Sequence, residues 1–143
     1  MKIFKQLPKY AVVGVILLGL VLAVSKFFDN DKPTALVDVR VPELSALATR
    51  GERAFNANCA QCHGKNAAGT DKGPALVHQI YNPGHHGDQA FVIAAKQGVR
   101  AHHWTFGNMP PLPLVSGAQI AAIVKYVREL QAANGIVTKP HRM

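Results

Sequence analysis

The chain is poor in cysteine and in acidic residues. It has 2 cysteines and 1 tryptophan in 143 residues, and its 8 Asp and Glu face 16 Lys and Arg, for a formal charge of +8. Two cysteines are too few for a four-cysteine zinc site. Strand patterns are nearly absent, and no basic stripe carries interleaved aromatics, so neither a β fold nor nucleic-acid binding is expected. One small, mainly α domain is what the composition favours.

Basic residues followed by an apolar run open the chain. Lys2, Lys5 and Lys9 precede "AVVGVILLGLVLAV", Ala11 to Val24. This order predicts export, with the following residues outside the inner membrane of a bacterium. The strict run has the length of a cleavable signal-peptide core, whereas the stretch from Tyr10 to Phe28 is long enough to span a membrane. We favour a retained anchor, and cleavage would leave a soluble periplasmic protein.

The rest of the chain is predicted to form a tether, a domain and a tail. Residues 1–28 are the signal-anchor or signal peptide, and the charged, proline-containing residues 29–44 predict a tether. If flexible, this tether spans about 20–24 Å, which would keep an anchored domain near the membrane. The domain is expected at 45–134, and 135–143 form a C-terminal tail.

Three helices are predicted in the domain. The first runs over 45–58, and the second begins at Asp88 as N-cap and ends before Gly98. Ser116 and Gln119 form a capping box at the start of the third helix. Apolar residues recur along it at helical spacing: Ile120, Ile123, Val124, Val127 and Leu130. Because three short helices bury only a modest core, we expect a cofactor or cross-link at the centre.

Both cysteines lie in "NANCAQCHGK", residues 56–65. A redox dithiol would start a helix after a strand, but this pair ends a helix with no sheet in view. A zinc site would need distant histidines, and a local disulfide leaves the histidine after the second cysteine without a role. In C-x-x-C-H both thiols attach to haem and the histidine ligates the iron. Covalent haem attachment also suits an exported domain, so we favour this interpretation.

A methionine is the candidate for the second axial position. Met1 and Met143 are terminal, which leaves Met109 in "FGNMPPLP". The neighbouring prolines stiffen this loop, which suits a weak thioether ligand. Four side chains flank it and are expected to form a wall of the haem pocket, although packing in the protein core is equally compatible with them: Trp104, Phe106, Leu112 and Val115.

The combined pattern resembles the class I monohaem cytochromes c over about residues 45–134. Three motifs carry this resemblance, in order along the chain before a C-terminal helix: Cys59-Ala60-Gln61-Cys62-His63-Gly64, Gly73-Pro74-Ala75-Leu76 and Asn108-Met109-Pro110. The resemblance implies a small, mainly α domain wrapped around one covalently bound haem c and preceded by an apolar helix. The N-terminal segment is similar to that of membrane-anchored bacterial cytochromes c.

Site residues follow from the resemblance. Cys59 and Cys62 would hold the haem, and His63 and Met109 would ligate its iron. Pro74 would offer its backbone carbonyl to the proximal imidazole. The motif that contains Pro74 also brings Leu76 to the haem. The first helix would cross the last at Gly51 and Phe55, with Tyr126 as the aromatic partner.

The function expected from the resemblance is single-electron transfer, not catalysis. Donor and acceptor would be membrane or periplasmic redox proteins of a respiratory-type chain, with the protein at the inner membrane or in the periplasm. A different possibility is a haem-based sensor or small-ligand-binding protein with a labile methionine ligand. A di-haem peroxidase would need a second C-x-x-C-H, which is absent.

Two histidine pairs leave alternatives open. His85 and His86 lie in "NPGHHGD", and His102 and His103 lie shortly before Met109. We favour loop histidines that bond to backbone or haem propionates. An exchangeable copper or zinc site, or haem ligation by one imidazole, remains possible. Four basic residues near the expected haem loops could either steer an acidic redox partner or simply form a solvated surface: Lys65, Lys72, Lys96 and Arg100.

Overall fold

The computed structural model describes residues 7–28 and 37–138, which belong to two separate units. In the first unit, helix α1 runs from Leu7 to Phe28, and its side chains over 10–24 are exposed. The predicted N-terminal helix is therefore present. Among the described residues, no helix is both long enough and apolar enough to cross a membrane. The membrane anchor stays a prediction.

The second unit is mainly helical, as predicted. Its elements are α2 (Ala46–Asn58), α3 (Ala60–His63), α4 (Asp88–Gln97) and α5 (Gly117–Ala133), with 3-10 turns at Lys65–Ala67 and Gln79–Tyr81. Extended pairing in the described part of the chain is limited to one antiparallel bridge between Val99 and Met109. The loops between the helices therefore carry most of the chain that surrounds the candidate site.

Local capping explains where the helices begin. Ser45 caps α2 by accepting a hydrogen bond from the Ala48 amide, and the predicted capping box of Ser116 with Gln119 opens α5. The prediction of Asp88 as N-cap of α4 is wrong by one residue, because Gly87 holds that position. The Asp88 carboxylate instead accepts a bond from Arg128 Nε at 2.8 Å.

Helices α2 and α5 cross in close contact at the predicted residues. The ring centroids of Phe55 and Tyr126 lie 5.5 Å apart at an angle of 57°. A Cβ atom added to Gly51 would lie 1.9 Å from the Ala122 carbonyl oxygen. Only glycine allows the two backbones to approach so closely. The crossing therefore depends on a residue with no side chain at position 51.

A buried glutamine ties α5 to the segment before α4. The Gln131 side chain is 1% exposed, yet all its polar atoms have partners. Its Nε2 donates to the carbonyl oxygens of Leu76 (2.8 Å) and Tyr81 (3.1 Å), and its Oε1 accepts from Arg128 Nη1 at 2.6 Å. Because unpaired buried amides are costly, this network fixes the 76–81 segment on the helix.

The described half of the predicted tether lies on the domain. In residues 37–44 the Arg40 amide donates to Asn134 Oδ1 at 3.0 Å, and Asn134 Nδ2 returns a bond to the Arg40 carbonyl at 2.8 Å. Val39 and Leu44 pack against the core. The sequence could not show these contacts, because their partners are about ninety residues away.

The predicted tail also begins inside the domain. Ile136 is 6% exposed and belongs to the hydrophobic core. Its amide donates to the Gln131 carbonyl at 2.9 Å. Residues 139–143 of the predicted tail lie outside the described residues, as do residues 1–6 and 29–36.

Glu129 gives α2 and α5 a pH-dependent link. Its carboxylate accepts bonds from the Ser45 amide (3.0 Å) and hydroxyl (2.7 Å) and pairs with Lys125 at 3.2 Å. Burial alone would raise its pKa, but the Ser45 bonds and Lys125 together hold the pKa below the ordinary 4.5. The stabilisation is therefore present above pH 4.5 and is lost as pH falls through the lower folded-state pKa.

We expect Glu129→Gln to be less stable than the wild type at pH 7, and the difference to shrink as the pH falls below 4.5. The amide keeps the shape of the side chain but lacks its charge. Urea unfolding of both proteins between pH 3 and 7 measures the difference. Glu43→Gln, at an exposed position before α2, is the control. If the difference in unfolding free energy between the wild type and Glu129→Gln is the same at every pH, the assignment is wrong.

Candidate functional site

The two cysteines lie at the junction of α2 and α3. Cys59 ends α2, with its amide donating to the Phe55 carbonyl at 2.7 Å, and the four-residue helix α3 then places Cys62 one turn further on. Cys59 is half-buried, Cys62 is exposed, and no disulfide joins them. Burial, with a smaller contribution from Cys62, raises the pKa of Cys59 to about 11. A reactive catalytic cysteine has a lowered pKa, and burial shifts the pKa of Cys59 in the opposite direction.

His63 is oriented by a backbone contact. Its Nδ1 lies 2.9 Å from the carbonyl oxygen of Pro74, where the resemblance places it. Because a carbonyl oxygen can only accept, Nδ1 carries the proton and Nε2 keeps its lone pair. Burial lowers the pKa of His63, and the bond to Pro74 opposes this shift only in part. The neutral imidazole is the form that binds a metal ion.

Met109 is fixed by its backbone against the end of α4. Val99 and Met109 exchange two amide-to-carbonyl bonds, of 2.9 and 3.0 Å. The Asn108 side chain accepts from the Ala101 amide at 2.9 Å and braces the same loop. Gly98, at φ +79°, allows the close approach, since a Cβ there would lie 2.5 Å from the Met109 carbonyl oxygen. The position of Met109 therefore depends on local pairing as well as on the prolines after it.

One cavity of about 520 Å³ brings the predicted site residues together. Cys59, His63 and Met109 all contribute to its lining. So do the other predicted contacts: Pro74, Leu76, Trp104, Phe106, Leu112 and Val115. Cys62 is not among the lining residues. The volume is typical of a cofactor pocket, and the lining is mostly apolar.

The donor set and the cavity fit a haem group. An imidazole with a free Nε2 and a methionine thioether are both known axial ligands of haem iron. The rest of the lining consists mainly of aliphatic and aromatic side chains, which suit an apolar macrocycle. Cys59 and Cys62 would hold it, and His63 and Met109 are the residues that would ligate it.

Tyr81 also belongs to the site, although it was not among the residues predicted from the sequence. Its hydroxyl accepts from Trp104 Nε1 at 2.9 Å, and both residues line the cavity. Burial raises the pKa of Tyr81, while the Trp104 bond opposes the shift. The contact joins the loop before α4 to the loop that ends at Met109. No local signal marks it, because the two residues are 23 positions apart.

Arg128 was also missed, although it supports one side of the site. Its guanidinium donates to the carbonyl oxygens of Tyr81 (2.8 Å) and His86 (2.5 Å), and its carbon lies 4.8 Å from the centroid of the Phe91 ring. Only 14% of its side chain is exposed. A signal did exist, since Arg128 lies one helical turn after Val124, which the sequence places on the apolar face of the helix.

Comparison with known proteins gives a family match and a curated relative. Residues 48–131 match the cytochrome c family model, which is more than half of the chain. No solved structure matches the chain. A curated relative, the Cbb3-type cytochrome c oxidase subunit CcoP of Rhodobacter capsulatus, is 35% identical over 94 residues. That alignment covers 62% of this chain and 31% of the relative, so the chain spans about a third of the relative's length.

The family match agrees with the residues that were predicted to attach a cofactor. Cys59 and Cys62 have the spacing of the haem-attachment motif, and a cytochrome c domain carries covalently bound haem c. The family and the oxidase-subunit relative together support haem-based electron transfer. The chain belongs to the cytochrome c family.

Proposed function

We propose that this protein is a single-electron carrier in which His63 and Met109 are the axial ligands of one haem c. The observation that carries the proposal is that both residues line the cavity to which Cys59 also contributes. Each potential ligand is held by backbone contacts, His63 through Pro74 and Met109 through Val99. Ligands held in this way need little rearrangement when an electron arrives or leaves.

The protein's own residues set the properties of the site. Bound haem supplies a one-electron redox centre, and a thioether ligand raises its reduction potential. The Pro74 carbonyl fixes the His63 ring and makes it a better donor. Trp104, Phe106 and Leu112 line the cavity, exclude water and favour the less charged ferrous state. With both axial positions filled, no site is left for a substrate, so we propose a carrier and not an enzyme.

We propose that the carrier works in the periplasm of a bacterium, with membrane or periplasmic redox proteins as donor and acceptor. The lysines and apolar run at the N-terminus support export, and the oxidase-subunit relative supports partners in a respiratory chain. Fractionation and intact-mass measurement of the native protein would distinguish a retained anchor from a cleaved signal peptide. Recovery in the cytoplasmic fraction would contradict the proposed location.

A redox titration tests the carrier function. The haem-loaded protein should show one reversible one-electron transition, and respiratory membranes from the source organism should oxidise the reduced form. Heat-treated membranes control for chemical oxidation. Reversible reduction without oxidation by active membranes would argue against a respiratory role. Turnover of peroxide at an open haem would contradict the proposal that the protein is not an enzyme.

Electron transfer to an acidic partner should slow as salt is added. The four basic residues proposed to steer the partner are all exposed: Lys65, Lys72, Lys96 and Arg100. Because the screening length falls from about 30 Å at 0.01 M salt to about 10 Å at 0.1 M, steering weakens over this range. Stopped-flow rates at both salt concentrations measure the effect.

A matched pair of variants separates local steering from total charge. Lys96→Gln should reduce both the low-salt rate and its salt dependence. Lys125→Gln removes an equal charge from α5, where Lys125 pairs with Glu129, and should change the rate less. Rates independent of salt would remove the steering proposal.

A further inference from the structure

Three histidines from two loops converge beside the cavity. His85 and His86 lie before α4, and His103 lies in the loop between α4 and Met109. Each offers one ring nitrogen, and these nitrogens all lie within 4.8 Å of one another. The ring centroids are 4.6 Å apart for His85–His86, 5.4 Å for His85–His103 and 5.2 Å for His86–His103. The haem ligation proposed above uses none of them.

His86 is held in a tautomer that suits metal binding. Its Nδ1 lies 2.7 Å from the Ile80 carbonyl oxygen, which can only accept, so Nδ1 carries the proton and Nε2 has a lone pair. A backbone carbonyl that orients the imidazole in this way is the usual outer partner of a metal-ligating histidine. Arg128 also donates to the His86 carbonyl at 2.5 Å and holds the loop on α5. The most buried of the three ligands is therefore oriented by the protein.

We propose that His85, His86 and His103 bind one divalent transition-metal ion, Cu²⁺ or Zn²⁺. Imidazole nitrogens suit both ions, and Cu²⁺ should bind more tightly. Around a tetrahedral ion with bonds of about 2.0–2.1 Å, ligand nitrogens lie about 3.3 Å apart, so the rings need to approach by at most about 1.5 Å. His85 and His103 are exposed and lie on loops.

The chemistry of the cluster selects against other cations. It contains imidazole nitrogens and no carboxylate, whereas Mg²⁺ and Ca²⁺ require oxygen ligands. Arg128 places a positive charge near His86, but Asp88 pairs with that charge at 2.8 Å. Because two of the three ligands are exposed, water would complete the coordination and the ion would exchange with solvent.

His102 lies next to the cluster without belonging to the proposed ligand set. Its ring centroid is 4.2 Å from that of His103 and 6.1 Å from that of His86. Its Nδ1 bonds to the Arg100 carbonyl at 2.8 Å in its own loop. The proposal therefore distinguishes two adjacent histidines, of which His103 is a ligand and His102 is not.

Metal binding would cross-link two walls of the cavity. His86 and His103 both line it, and the loop of His103 continues to Met109. A bound ion would join this loop directly to the loop before α4, in addition to the Trp104–Tyr81 hydrogen bond. The site would therefore lie at the rim of the pocket, separate from the iron ligands.

Equilibrium dialysis of the haem-loaded ferric protein, prepared without a polyhistidine tag, tests the proposal. We expect one equivalent of Cu²⁺, and more weakly of Zn²⁺, with no retention of Mg²⁺. Electron paramagnetic resonance of the Cu²⁺ form should show hyperfine coupling to imidazole nitrogens. His103→Gln should weaken binding about 100-fold, and His85→Gln should have a similar effect. An unchanged haem spectrum in each variant will show that the fold is intact.

Two control variants make the assignment falsifiable. His102→Gln and His141→Gln each remove one histidine outside the proposed set and should leave the dissociation constant within about threefold of the wild type. Equal affinity in His103→Gln and wild type would overturn the proposal. Failure of the wild type to retain either ion would do the same. A loss in His102→Gln as large as that in His103→Gln would overturn the three-histidine assignment.

Discussion

Replacement of Met109 by leucine should abolish the far-red sulfur-to-iron charge-transfer band of the ferric protein. Leucine keeps much of the volume and apolar character of methionine but has no thioether to donate. Because that thioether favours the ferrous state, the reduction potential should also fall. Optical spectra of both oxidation states and a redox titration of the variant measure these changes.

Met143→Leu is the matched control for this substitution. It removes a methionine at the C-terminus, outside the described residues, and should leave the band and the potential unchanged. If Met109→Leu keeps the band at full intensity, Met109 is not the ligand. Loss of the band in Met143→Leu alone would move the assignment to the C-terminus.

Gly51→Ala should destabilise the domain by about 3 kcal/mol. The new Cβ would lie 1.9 Å from the carbonyl oxygen and 2.5 Å from the carbonyl carbon of Ala122, both backbone atoms of α5. The two helices would have to separate, which would also disturb the packing of Phe55 on Tyr126. Overpacking of a well-packed interior costs about 1–3 kcal/mol and occasionally more, and a backbone clash is at the upper end. Urea unfolding of the haem-loaded protein, followed by far-ultraviolet circular dichroism, measures the change.

Gly117→Ala, at a second helical glycine, should instead stabilise the domain. A Cβ at this position on α5 would meet no atom within 4 Å. Because alanine restricts the unfolded chain and favours helix, we expect a gain of about 0.4–1 kcal/mol. Equal effects at the two positions would show that helix propensity, and not the close crossing, decides the outcome at Gly51.

Most of the fold could be predicted from the sequence, because the residue patterns that indicate it are local or belong to a specific motif. Ser116 and Gln119 define the start of α5 within four residues, and the structure confirms this capping box. That α2 and α5 cross at Gly51 could be predicted only from the family resemblance, because no local sequence pattern pairs Gly51 with Ala122. The role of Met109 as iron ligand stays a prediction, although the structure places it in the cavity with His63.

Long-range contacts account for what the sequence did not show. Arg128 joins α5 to the carbonyl oxygens of Tyr81 and His86, more than forty positions earlier. The same arginine engages Asp88, so a residue that is typical of an N-cap acts as an ion-pair partner instead. The convergence of His86 with His103 likewise depends on how two loops fold back. Such pairings are decided by the tertiary structure and leave no periodicity in the sequence.

An optical spectrum of the purified haem-loaded protein tests the proposed electron carrier most directly. It should be recorded in the oxidised and reduced states, with and without carbon monoxide. We predict a far-red charge-transfer band in the ferric form and no rapid binding of carbon monoxide to the ferrous form, as expected if His63 and Met109 fill both axial positions. Absence of the band together with immediate binding of the gas would contradict the proposed ligation and would favour a ligand-binding or sensing function.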